Sequence, residues 1–277
     1  MGRRMSVSAY KIKDYVYDLQ KRGISTFTLS EIRENFQSFS DTAIKSALRR
    51  ISGNNAIMSV RNGFYSIIPV GYALRGAVPP EFYIDNLMKH LNRPYYVGLL
   101  NAAAYYGAAH QQSQVFSVIT SFPPLRDAAK KGVHINFIST RREIPQTWLK
   151  PIRAENGDIQ ASTPELTAAD LITHQKEIGG LNRASTILYE LAEALNFERL
   201  DRPFFEFVPF ATIQRLGYLL ELVLEQPKLA DALYAKALAH GCQFQKIPLK
   251  RGKKKNTFAV DMRWKIIINE QIEMDDL

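Results

Sequence analysis

The sequence predicts an α+β protein: a small helix-rich N-terminal unit closed by a β-hairpin, then a larger mixed α+β region. Three observations predict it. Apolar residues recur at helical spacing in three segments between Ser8 and Gly53. Two strand-like runs flank Asn62-Gly63, and beyond residue 80 helical stretches alternate with β-branched runs.

The elements follow in order. Ser8–Arg22 carries Ile12, Tyr15, Val16 and Leu19 on one side, and Gly23 stops that helix. Phe27–Leu29 reads as a short strand. Ser30 caps a second helix, Ser30–Gln37, which presents Ile32 and Phe36. In a third helix, capped by Ser40 and ended near Gly53, a turn of about 100° per residue gathers Ala43, Ile44, Ala47, Leu48 and Ile51 on one side. Thr42, Lys45, Ser46, Arg49 and Arg50 gather opposite, three cations and two hydroxyls with no acid on that face. Asp41 lies in the first turn, where it suits the helix dipole. Ile57–Val60 and Phe64–Ile67 are strands, joined by an Asn62-Gly63 turn that supplies positive φ angles, with Arg61 beside the tip.

Helix, short strand, helix, helix, two-stranded ribbon is the order of a winged helix-turn-helix, here residues 1–76. Such a unit places its third helix in the DNA major groove and its wing against the backbone or minor groove. On this reading Arg49 or Lys45 hydrogen-bonds guanine O6 and N7, Arg50 and Arg61 clamp phosphate, and Ser46, Thr42 and Asn62 add polar contacts. The alternative for the same unit is a protein-interaction module with a merely solvated basic face.

Charge supports a nucleic-acid partner. The 277-residue chain has net charge +9. Residues 1–70 hold 11 Lys/Arg against 5 Asp/Glu, and Lys246–Lys265 holds 8 against 1. Neutralising phosphates with such patches releases counterions, so affinity should fall steeply with salt. Lys250, Arg251, Lys253, Lys254, Lys255, Arg263 and Lys265 form a second candidate basic surface, with a solvated loop as the alternative. Arg3-Arg4 is a DNA-contacting arm or a frayed terminus. No transmembrane run or anchor helix accompanies these charges, which disfavours a membrane partner. A single cysteine, Cys242, fits a reducing cytoplasm, and no export signal is read at the N-terminus.

The larger region, residues 77–277, begins at a hinge, Val78-Pro79-Pro80. Helices are expected at Glu81–Leu91, Tyr95–Tyr106, from Pro164 to the Gly179-Gly180 break, and at Arg183–Leu195, Ala211–Glu225 and Lys228–His240. Strands are expected at Val115–Thr120 and Val133–Thr140, and Trp148–Ala154 should pair with Asp158–Ala161 across Asn156-Gly157. The end reads as Phe244–Leu249, a basic loop and Trp264–Asn269. Thr163-Pro164-Glu165 is a helix start with cap, proline and acid in place.

Several phrases in this region resemble one family. YYVGLLNAAAYYGAAHQQSQVFSVIT (Tyr95–Thr120), STPELTAADLI (Ser162–Ile172) with GGL (Gly179–Leu181), QRLGYLLE (Gln214–Glu221) and IPLKRG…MRWKIIINEQIEMD (Ile247–Asp275) are similar, in order and spacing, to the AbiEi antitoxins of bacterial abortive-infection systems. The resemblance implies the antitoxin half of a type IV toxin–antitoxin pair used in phage defence. It implies a transcriptional repressor of its own operon that binds promoter inverted repeats through the winged helix. It also implies a nucleotidyltransferase-like toxin as partner without a stable complex, and cooperative self-association on DNA through the C-terminal domain.

Enzymatic chemistry finds little support. The five histidines, His90, His110, His134, His174 and His240, lack metal-site spacing, and no nucleophile motif or phosphate loop occurs. No cofactor or metal is expected. The alternative is a metal-dependent nuclease using Asp158, Glu165 and Asp170 with Lys176. The structural account of these acids is a hairpin turn, a helix N-terminus and a helix surface. His110, Gln111, Gln112 and Gln114 read as a polar turn.

Overall fold

The structure, a computed structural model, describes residues 7–109, 113–252 and 258–274. His110–Gln112, Arg3-Arg4 and Lys253–Lys255 lie outside the described residues.

The N-terminal unit runs α1 (Val7–Lys21), β1 (Thr26–Thr28), α2 (Leu29–Asn35), α3 (Asp41–Gly53), β2 (Ile57–Arg61) and β3 (Phe64–Ile67). Its core gathers the apolar faces that the spacing predicts: Ile12, Val16 and Leu19 of α1, Ile32 of α2, and Ile44, Ala47, Leu48 and Ile51 of α3. Removing an Ile or Leu side chain from water contributes about 1.5–3 kcal/mol, so this seam alone holds α3 against α1. The strands form an antiparallel sheet of order β1-β3-β2.

Two local expectations are corrected, at the start of α2 and in the hairpin turn, and one is met at the end of α3. Thr28, not Ser30, caps α2: its Oγ1 accepts from the Glu31 N–H (3.2 Å), and its own N–H donates to Glu31 Oε2 (2.6 Å). Thr28 has the Glu three residues on that a reciprocal cap requires. Gly53 ends α3 as its last helical residue, and the positive φ (56°) falls on Asn55. In the hairpin, Gly63 takes the left-handed conformation (φ 78°) and the register shifts between Ser59 and Arg61, so a bulge accompanies the turn.

The larger region adds α4 (Ile84–His90), β4 (Tyr95–Val97), α5 (Leu99–Tyr105), β5 (Val115–Ser121), β6 (Ala128–Lys130), β7 (Val133–Thr140), β8 (Leu149–Ala154) and β9 (Gly157–Ser162). It continues with α6 (Pro164–Thr173), α7 (Leu181–Leu191), α8 (Arg202–Phe207), α9 (Phe210–Tyr218), α10 (Pro227–Ala239), β10 (Ile247–Pro248) and β11 (Ile266–Ile267). Among the described residues β4–β9 make a mixed six-stranded sheet of order β6-β7-β5-β4-β9-β8. Its side chains alternate between two cores, as strand geometry demands. Tyr96 and Ile119 face the helical layer with Leu166, Leu188 and Leu216. Tyr95, Val97 and Val118 face the other way, toward Met58, Phe64 and Ile68.

The β2–β3 hairpin is therefore sandwiched. Ile57 and Ile67 point into the N-terminal core, while Met58, Phe64 and Ile68 share a core with the six-stranded sheet. Val78 and Pro80, expected at a hinge, are buried, with Val78 in that shared core, so the segment packs rather than swings.

The helix expected at Tyr95–Tyr106 is split. Tyr95–Val97 pair with β5 on one side and β9 on the other, and the helix begins only at Leu99. Gly98 marks the change, since a Cβ there would collide with the Ile119 side chain. At the C-terminus the two short strands are parallel, with Ile247 opposite Ile266, because the chain doubles back through an antiparallel bridge between Val260 and Ile267. The small residue Gly217 lets the Trp264 ring, fully buried, lie against α9.

Candidate nucleic-acid interface

Burial of one face of α3 fixes the direction of the other. Ser40 Oγ accepts from the Ala43 N–H at 3.2 Å, starting the helix where the sequence places it. With Ile44, Ala47, Leu48 and Ile51 inside, Thr42, Lys45, Ser46, Arg49 and Arg50 all stand exposed.

The face is not free of acid, contrary to expectation. Asp41 accepts from the Arg33 guanidinium (2.8 Å to Nε, 2.6 Å to a terminal nitrogen) and pairs with Lys45 Nζ at 2.8 Å. These hydrogen bonds from Lys45 and Arg33 hold the exposed Asp41 carboxyl below its usual pKa. One carboxylate thus joins α2 to α3 and partly neutralises the first turn of the face. Arg49 and Arg50 lie a turn or more further on.

The hairpin residues separate. Asn62 is exposed at the turn, and the neighbouring Gly63 carbonyl accepts from the Leu29 N–H at 2.8 Å, tying the turn to the start of α2. Arg61 does not extend beside it. Its guanidinium donates to the Arg126 carbonyl (3.1 Å) and lies over the Phe137 ring, 5.8 Å from the centroid, against the larger region. Nearby, Lys130 donates to the Ser59 carbonyl (2.7 Å) and Lys131 to Asn55 Oδ1 (2.7 Å). Sequence spacing carries no signal for these contacts, because the partners come from a segment more than sixty residues away.

The second basic surface is only partly present. Arg263 is held in a structural cage: it donates to Glu221 (2.8 Å) and Asp231 (2.6 Å), and it stacks on Tyr234 at 4.5 Å. The Trp264 indole donates to the same Glu221 at 2.6 Å. Lys250 pairs with Glu270 at 2.5 Å. Lys265 is half-buried with φ 56°, while Arg251 is exposed.

The acids of the alternative reading diverge. Asp158 stands exposed opposite Arg153 (3.5 Å) on the β8–β9 hairpin. Glu165 is buried and accepts from the Asn196 N–H at 3.1 Å. Asp170 is buried rather than on a helix surface, and accepts from the Tyr96 hydroxyl at 2.9 Å. Burial lifts its pKa to about 8 against the opposing pull of that hydrogen bond. Among the described residues no group of three His, Cys, Asp or Glu side chains stands close enough to hold a metal ion. Cys242 is buried, and burial raises its thiol to about 11, which suits packing and not nucleophilic chemistry.

Comparison with known proteins bears on the larger region. The family model of the AbiEi antitoxin C-terminal domain matches residues 96–222. The larger region carries an AbiEi antitoxin-like domain. The match supports a role in a toxin–antitoxin system, with a toxin as the implied partner. The AbiEi segment starts inside β4 and runs through α9 into the π-helical turn Leu219–Val223, so the α3 face lies outside it. Among solved structures, the RV2827C protein from Mycobacterium tuberculosis has the same overall fold at 16% identity, with a TM-score of 0.66 over 96% of this chain and 92% of that one. An antigenic nucleotidyltransferase-like protein from Paracoccidioides brasiliensis aligns over 55% of this chain and 89% of its own, at 13% identity and a TM-score of 0.36, too low to argue a shared fold. No curated protein matches the chain. No helix among the described residues is long and apolar enough to cross a membrane.

Proposed function

We propose that this chain is an AbiEi-type antitoxin and also a DNA-binding repressor of its own promoter. Residues 1–76 would act as a winged helix-turn-helix and residues 77–277 as the antitoxin domain. The observation that carries the reading is the α3 face: five exposed residues able to donate hydrogen bonds, three of them cations, on a helix that buries Ile44, Ala47, Leu48 and Ile51 on its opposite face. Helix α3 follows α2 closely, and the hairpin turn is tied to the start of α2, which is the relation a recognition helix and wing require. Arg49 and Arg50 carry the interaction on this reading, since Lys45 shares its charge with Asp41. Arg61 orients the hairpin on the larger region and contributes to DNA binding at most as a distant positive charge.

Two copies on an inverted repeat would place two α3 helices in successive major grooves. Footprinting of the full chain on the DNA upstream of its own gene tests the reading. Protection of paired half-sites spaced by a helical turn or its multiples supports it; uniform protection at all sequences contradicts it.

A further inference from the structure

A cavity of about 400 Å³ opens in the helical layer, between the α6–α7 connection and the segment after β10. That volume lies at the lower end of the range of about 300–1,000 Å³ typical of small-molecule sites. Its lining is unusually cationic: Lys176, Arg215, Lys250 and Arg251 against Glu177 and Glu270. Glu270 is engaged by Lys250, and Glu177 accepts from Asn136 at 3.3 Å.

Arg215 is the decisive residue. It is 4% exposed, and its guanidinium donates to the carbonyls of Pro248, Leu249 and Ala211. Carbonyls satisfy its hydrogen bonds without neutralising its charge. Burial, and then the neighbouring Arg251 charge, lower its pKa to about 10. A buried charge without a counterion is costly and calls for an anion.

The start of α7 lines the same cavity. Gly179 (φ 101°) and Gly180 (φ 105°) take conformations that side chains resist, and they turn the chain into α7. With Gly180 at the cap position no side chain caps α7, so its first N–H groups, at the positive end of the dipole, have no side-chain acceptor at the cap. Leu181 and Asn182 line the cavity. A guanidinium with like-charged neighbours and the uncapped N-terminus of α7, lining one cavity, match a tetrahedral, multiply charged oxyanion.

We propose that this cavity binds the terminal phosphate of a small phosphorylated molecule of nucleotide size. A recessed guanidinium is reached by a terminal phosphate more readily than by the internal phosphates of a duplex. The site is separate from the α3 face and does not rest on the DNA-binding reading.

Calorimetric titration of the full-length chain with pyrophosphate and with ATP at low salt tests the proposal. Lys176→Ala/Arg251→Ala is the variant of choice, because both side chains are exposed and support no core packing. Saturable one-site binding by the wild type, weakened at least tenfold (about 1.4 kcal/mol) in this variant and retained in Lys45→Ala/Arg49→Ala/Arg50→Ala, is the expected result. Absence of saturable binding by the wild type overturns the proposal, as does equal binding by the cavity variant. If neither pyrophosphate nor ATP binds while the cavity variant loses affinity for duplex DNA, the proposal falls and the cavity contacts DNA backbone instead.

Discussion

Asp41 Oδ2 lies 2.8 Å from Lys45 Nζ, so the first cation of the α3 face is shared with a carboxylate one turn earlier. The same carboxylate is held by Arg33 at 2.6 Å. Asp41→Ala should therefore release two cations toward a nucleic-acid partner. The expected outcome is tighter DNA binding and a salt slope steeper by about 1 for each of the two that meets a phosphate, read by fluorescence anisotropy over a salt series. An unchanged slope would mean that neither Lys45 nor Arg33 approaches phosphate.

Arg49 stands exposed on the same face, a turn beyond Lys45. If it reads a base, Arg49→Ala should cost about 1–3 kcal/mol at the cognate site and relax specificity there, with little loss on scrambled DNA. Competition binding on both duplexes checks this. Equal losses on the two would make Arg49 a phosphate contact.

Arg263 belongs to the fold. It bridges Glu221 and Asp231 and covers Tyr234. Hydrogen bonds to charged groups contribute about 1.5–3 kcal/mol, less when partly solvated, so Arg263→Ala should destabilise the chain by about 1–2 kcal/mol. DNA affinity should stay unchanged. Urea unfolding and anisotropy on the same variant separate the two effects.

Asp170 ties stability to pH. Its pKa in the folded chain, about 8, lies above the ordinary carboxyl value. The native state therefore binds the extra proton, and the contribution of this group is fully present below about pH 4 and lost as pH rises through about 8. Asp170→Asn keeps an acceptor for the Tyr96 hydroxyl but cannot ionise. The Tm of the wild type minus that of the variant should fall as pH rises from about 5 to about 9. A constant difference would show that Asp170 is ionised in the native state throughout.

Legibility in the sequence followed the range of the interactions. The α3 face was readable because a helix repeats every 3.6 residues, and Ile44, Ala47, Leu48 and Ile51 alone fix which side is buried. The hairpins at Asn62-Gly63 and Asn156-Gly157 were readable because their pairing is local. Tyr95–Val97 were not, because a strand buried on both faces shows no alternation and runs straight into the apolar start of α5. Arg61 and Arg263 looked like free basic residues because their partners lie 65, 42 and 32 residues away. Arg215 read as part of an amphipathic helix, and only the fold brings Lys250 and Arg251 beside it.

A gel-shift titration of the full chain shows whether α3 binds promoter DNA. The titration uses its own upstream DNA, with a scrambled fragment as competitor, at two salt concentrations. Selective binding that weakens with salt and is lost in Lys45→Ala/Arg49→Ala/Arg50→Ala is the expected result. Equal affinity for both fragments, or a triple variant that binds as the wild type does, would contradict it.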